Sequence, residues 1–262
     1  EVTLAEAGRQ LGGRIVHEAA LPGLATWARV RDWRLTMLGK LPNVQIFRES
    51  RMGAGDILDV NPDHTVLATG ARWRRDGVGV AGMEAGDYPQ ALTPDDIFAG
   101  AQVGPTVAFY DDDHYFMGGA LAEKLARAGH RVVLVTPYPQ VSGWTVYTDE
   151  QGFVQDRLMR LGVTILTQQM LAAQGPDHIR IACATTGAAQ ELACDSLILV
   201  TGRLPVDDLW SQLADRPNLA RVGDCLAPSS IADAVYSAHR FARLLGEPDL
   251  PPRRERPSHK GP

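Results

Sequence analysis

The 262 residues are 45% hydrophobic and 22% charged, enough to bury a sizeable core in one large domain or two smaller ones. A net charge of −5 argues against nucleic acid or an anionic membrane as the main partner. No apolar run approaches the ~20 residues that span a bilayer. The three cysteines, Cys183, Cys194 and Cys225, lack a C-x-x-C spacing, and the seven histidines are scattered. That pattern predicts reduced thiols in a cytoplasmic protein, without a dithiol or metal site in this chain.

Glu1 to Leu4 alternates polar and apolar residues and runs on to Glu6 and small residues. This is the pattern of the second strand of a dinucleotide-binding βαβ unit, whose terminal acid accepts both ribose hydroxyls of an adenosine. Gly12 and Gly13 then let the backbone pass close to a ligand, with Arg14 beside them. A preceding strand, glycine-rich turn and crossover helix are expected in a longer polypeptide, of which this chain would be the back portion.

A helix is predicted over about Ala25 to Lys40, with Trp33 near the edge of its apolar stripe. Trp33 is expected in the core, with a docking surface as the alternative. Val44 to Phe47 reads as a short strand. His64 to Gly70 is a buried strand whose end, Ala68-Thr69-Gly70, leaves room for a nucleotide or for the chain to cross to another domain. Residues 71–92 read as connector, and Thr93-Pro94-Asp95-Asp96 as a capped helix start.

A second βαβ unit follows: strand Thr106 to Tyr110, helix Met117 to Ala128 stopped by Gly129, strand Arg131 to Thr136. Helix Gln151 to Arg160, strand Val163 to Leu166 and two strands around Gly187 lead to a buried strand ending Val200-Thr201-Gly202. This ending repeats the earlier Ala-Thr-Gly, as if the chain left one domain and returned to it. A short helix near Val206 to Ala214 precedes strand Ala220 to Val222, then Gly223-Asp224 and a last helix, Ile231 to Leu245. An Asp in that setting sits beside the ribityl or pyrophosphate part of a flavin nucleotide, with the helix N-terminus supplying amides.

The expected architecture is therefore α/β, with two Rossmann-like three-layer domains of the glutathione-reductase FAD/NAD-binding type, the first incomplete at its N-terminus. Residues 1–102 and 201–246 form the adenine-nucleotide domain, 103–200 an inserted NAD(P)-binding-like domain, and 247–262 a proline-rich polar tail. The inserted unit has Asp111-Asp112-Asp113-His114 where a nicotinamide cofactor needs glycine amides. A carboxylate about 4 Å from a phosphate costs roughly 4 kcal/mol at an effective dielectric near 20. Micromolar binding is worth only about 8 kcal/mol in all, so NAD(P)H is not expected here. The acids themselves read as a solvated loop rather than a metal site.

Leu11-Gly12-Gly13-Arg14, Ala19 to Leu24, Arg31-Asp32-Trp33-Arg34, Ala68 to Trp73, Asp113 to Met117, Thr136 to Thr145, Val200 to Arg203 and Gly223-Asp224 through Ala234 resemble the C-terminal half of the trimethylamine, dimethylamine and histamine dehydrogenase family. The resemblance implies a larger iron–sulfur flavoprotein, with covalent FMN and a four-iron four-sulfur cluster in an N-terminal barrel outside this chain. It implies oxidative N-dealkylation or deamination of a small amine, electrons passing to an electron-transferring flavoprotein, and a homodimer. In this segment it implies ADP, or FAD as in relatives, held by Glu6, Gly12, Gly13, Arg14, Ala68, Thr69, Gly70, Gly223 and Asp224, with no catalytic residue. Two alternatives stand beside it: an FAD-binding segment like the NADH:flavin oxidoreductases and dienoyl-CoA reductases, and a free-standing interaction module without chemistry.

Overall fold

The computed structural model describes residues 1–82 and 85–245; the expected tail, 247–262, lies outside the described residues. In chain order the elements are β1 (Val2–Ala5), α1 (Ile15–Glu18), α2 (Ala28–Leu38), β2 (Val44–Phe47), α3 (Ala54–Val60), β3 (Thr65–Leu67), β4 (Ala71–Trp73), α4 (Pro94–Phe98), β5 (Thr106–Asp111), α5 (Phe116–Arg127) and β6 (Arg131–Val135). They continue with α6 (Gln151–Arg160), β7 (Thr164–Leu166), β8 (Gln169–Gln174), β9 (His178–Cys183), β10 (Ala189–Ala193), β11 (Ser196–Val200), β12 (Arg203–Pro205), α7 (Asp208–Gln212), β13 (Leu219–Arg221) and α8 (Ile231–Arg243). The fold is mixed α/β with parallel sheets.

The chain divides into two compact units: residues 1–55 with 72–204, and residues 56–71 with 205–262. The first thus takes in the opening strand together with the stretch expected as an inserted domain.

The first unit is built on the four-stranded parallel sheet β11-β5-β6-β7. Alternation along β5 explains why both faces are covered. Val107 and Phe109 join Leu121, Leu125, Val154 and Leu158 from α5 and α6. Ala108 and Tyr110 point the other way, into a cluster with Leu171, Ile179 and Ile181 of the antiparallel sheet β10-β9-β8. Each such buried aliphatic or aromatic side chain contributes about 1.5–3 kcal/mol. β1 and β2 pair in parallel as a separate two-stranded ladder.

α4 begins as its sequence predicts. Thr93 and Asp96 cap each other's backbone groups, and Pro94 occupies the first turn, where no amide is needed. The helix expected over 25–40 is a 3-10 turn at Ala25–Trp27 followed by α2. Trp33 is not in the core: it is 59% exposed, with the Arg34 guanidinium 5.6 Å from its ring. Helical spacing placed it beside the apolar stripe, and the indole lies on the outer side of that edge.

In the second unit β3 and β13 pair in parallel, Val66 opposite Ala220. α8 is capped by Ser230, whose hydroxyl accepts the Asp233 amide.

Candidate functional site

Glu6, Gly12, Gly13 and Arg14 all lie in the first unit. Glu6 follows β1, and one of its carboxylate oxygens accepts the Gly8 amide at 2.7 Å, which fixes the side chain at the strand end. Gly12 has φ +121, and a Cβ there would lie 2.7 Å from Arg31 Cδ, so the position admits no side chain. Gly13 has φ +52, with no atom within 4 Å of where a Cβ would be. At Gly13 the backbone is therefore open to a close-lying group. Arg14 pairs with buried Glu18, and its guanidinium lies 5.4 Å from the Trp73 ring centroid. Arg203 lies over the same indole at 5.5 Å.

Ala68, Thr69, Gly70, Gly223 and Asp224 lie in the second unit. The Thr69 hydroxyl meets the Val206 carbonyl and lies 3.1 Å from the buried Cys225 Sγ. Gly70 (φ +79) accepts the Val206 amide at 2.9 Å. Gly223 (φ +63) donates its amide to Ser237 Oγ of α8 at 2.8 Å, and Asp224 accepts the Ser229 amide at 3.0 Å. The strand ends around Thr69 and Gly223 thus come together within this unit through Cys225.

The sequence reading missed the nature of the acidic loop. Asp111, Asp112 and His114 are buried, not solvated. The loop is drawn in because Asp112 and His114 find partners and Asp111 and Asp112 lie against glycines. Asp112 takes the Ala81 amide at 3.1 Å on both oxygens and His114 Nε2 at 2.8 Å, while a Cβ on Gly79 would be 2.4 Å from its Oδ2. His114 sits at φ +60, with Nδ1 3.5 Å from Thr136 Oγ1. Its ring packs 4.6 Å from Tyr138 and 6.3 Å from Trp144. Burial, reinforced by the neighbouring charge of Asp113, pushes the Asp111 carboxyl up to about 7. Burial pushes Asp113 up to about 6, against the pull of Arg203, Arg14 and His114. Gly118 and Gly119, which the sequence offered as helix residues, were the available signal: each leaves space that a buried polar side chain fills.

This crevice does not fit a nicotinamide dinucleotide. The amides of Asp113 and His114 already donate to Asp111 Oδ1, and His114 fills the space beside Thr136, where a ribose-binding residue would stand. Among the described residues no group of three or more His, Cys, Asp or Glu could hold a metal ion. No described helix is long and apolar enough to cross a membrane.

Residues 92–186 match the family model of the OYE-like second alpha/beta domain. Over 98% of its length the chain is 32% identical to dimethylamine dehydrogenase of Hyphomicrobium sp. (strain x). It superposes with a TM-score of 0.91 on histamine dehydrogenase from Rhizobium sp. 4-9, at 40% identity over 97% of the chain. The chain is similar to amine dehydrogenases. A third likeness, to the 6-hydroxypseudooxynicotine amine oxidase of Pseudomonas geniculata N1, has a TM-score of 0.89 and 38% identity over 93% of the chain. The chain spans about two fifths of the length of these proteins: 40%, 42% and 38% respectively.

Proposed function

We propose that the chain is the nucleotide-fold portion of an amine-oxidising iron–sulfur flavoprotein, in which it holds an adenine nucleotide, ADP in preference to FAD. The observation that carries this reading is the 40% identity to histamine dehydrogenase across 97% of the chain. The oxidoreductase of which it is part would dealkylate or deaminate a small amine and pass electrons to an electron-transferring flavoprotein, as a cytoplasmic homodimer. FMN and the four-iron four-sulfur cluster would supply the redox chemistry in a barrel outside these residues.

The chain's own residues would bind and orient the nucleotide. Glu6, steadied by the Gly8 amide, would accept the ribose hydroxyls. The bare backbone at Gly13, which follows Gly12 packed against Arg31, would let the phosphates approach. Arg14 would add positive charge from beside Trp73. In the second unit, Ala68, Thr69 and Gly70, with Gly223 and Asp224, would offer contacts to a nucleotide.

The intact protein should release one equivalent of ADP on denaturation, detected by chromatography. Glu6→Gln and Gly12→Ala should each lower that occupancy, the second more severely because Arg31 stands in the way of a Cβ. Release of FAD would move the assignment to the FAD-dependent alternative. Absence of any adenine nucleotide would remove the proposal.

A further inference from the structure

In a βαβ unit, phosphate is received at the carboxyl ends of the strands, where the helix that follows offers unpaired amides and the positive end of its dipole. At the corresponding place here, the start of α5, a carboxyl group of the chain itself is already present. Asp111 is the last residue of β5 and is fully buried. Its Oδ1 accepts the amides of Asp113 and His114, each at 3.2 Å. Its Oδ2 is buried with no hydrogen-bond partner, and it lies so close to the first turn of α5 that a Cβ on Gly118 would be 2.4 Å away.

A second buried polar atom converges on the same turn. Ser142 Oγ is also without a partner, and a Cβ on Gly119 would lie 2.9 Å from it. α5 has 12 residues, and its N-cap, Tyr115, supplies no side-chain cap. The neighbouring acids are occupied elsewhere. Asp112 is engaged by His114 and Ala81, and Asp113 feels Arg203 and Arg14.

We infer that the Asp111 carboxyl group occupies the place at the N-terminus of α5 where a phosphate group would bind, and that its removal opens a phosphate site. The glycine at 118 is what gives the carboxylate its place. Of the remaining acids, Asp112 is paired with His114 at 2.8 Å, and Arg203 and Arg14 act against the charge of Asp113.

The test uses the intact protein that carries this chain, in its unmodified form and as Asp111→Gly, Asp111→Ser and Asp111→Asn. The melting temperature is followed in inorganic phosphate, with chloride at matched ionic strength as reference. Asp111→Gly should gain about 2–4 °C at saturating phosphate over chloride. Asp111→Asn keeps the space filled and should gain nothing, as should the unmodified protein. Asp111→Ser retains an acceptor for the two amides while vacating part of the space of the carboxyl group, and it carries the test if glycine unfolds the strand end. Equal phosphate responses in the unmodified protein and the variants would overturn the inference, as would no response in both Asp111→Gly and Asp111→Ser.

Discussion

His114 Nε2 lies 2.8 Å from Asp112 Oδ1, with 2% and 0% of the two side chains exposed. The pair joins the loop after β5 to the segment around Ala81, through the amide that Asp112 also accepts. His114→Ala would strip Asp112 of this partner and remove the packing against Tyr138. Breaking a buried pair in this way costs about 3–5 kcal/mol. Asp112→Asn keeps an acceptor for the imidazole and should cost less, about 1–3 kcal/mol. Chemical denaturation of the three proteins orders these effects, and equal stabilities would show the pair to be idle.

The raised carboxyl of Asp111 fixes the sign of a pH dependence. Between its unfolded value near 4 and its folded value of about 7, the folded state binds more protons than the unfolded state. Stability contributed by this group is therefore fully present in acid and declines as pH rises from about 4 to 7, by on the order of 4 kcal/mol. Asp113, raised to about 6, adds a slope of the same sign over a narrower window. Asp111→Asn should flatten the stability profile over that range, as read from denaturation midpoints at successive pH values. An unchanged slope would contradict the assignment.

Glu123 of α5 is 3% exposed and bound by Arg127 at 2.7 Å and by Arg157 of α6 at 3.0 Å. The arginine side chains are 58% and 40% exposed and can return to water. The two halves of the cluster should therefore differ in cost. Glu123→Leu should cost about 1 kcal/mol or less, since the freed cations are solvated. Replacing both arginines by Ala should cost about 3–5 kcal/mol, because a carboxylate is left buried and unpaired. Thermal or urea denaturation distinguishes the two outcomes.

The thiols should react in a set order. Hydrogen bonds from Thr186 and Thr185 hold the Cys183 thiol below its ordinary value, and the residue is only partly covered. Burial pushes Cys194 up to about 11, and Cys225 is fully buried. A disulfide reagent at neutral pH should modify one thiol quickly and the other two only on unfolding. Peptide mapping should place the fast label on Cys183.

The core of the first unit was legible because its code is redundant. Thr106 to Asp111 and Ser196 to Val200 are continuous apolar runs, and Gly129 and the Thr93–Asp96 box mark helix ends by local chemistry. The acidic loop was not legible, because a run of three aspartates reads as solvated unless the partners that bury it are known. Those partners, Ala81, Thr136 and Gly79, are 22 or more residues from the His114 or Asp112 they touch. Trp33 failed for a related reason: helical periodicity fixes a face but not what covers it. α3, β4, β8 and β12 carried too few periodic residues to be distinguished from connector.

The chain passes between its two units three times, at 55/56, 71/72 and 204/205. Consequently no single cut yields both as separate polypeptides. Truncation after 204 would remove β13 and leave β3 an orphan strand, with Thr65, Val66 and Leu67 stripped of their hydrogen-bonded neighbour. Isolating the first unit would mean deleting 56–71, bridging residue 55 to residue 72 and stopping at 204, cuts that fall within α3, β4 and β12. Limited proteolysis at any one of these junctions should give a nicked protein whose fragments stay associated.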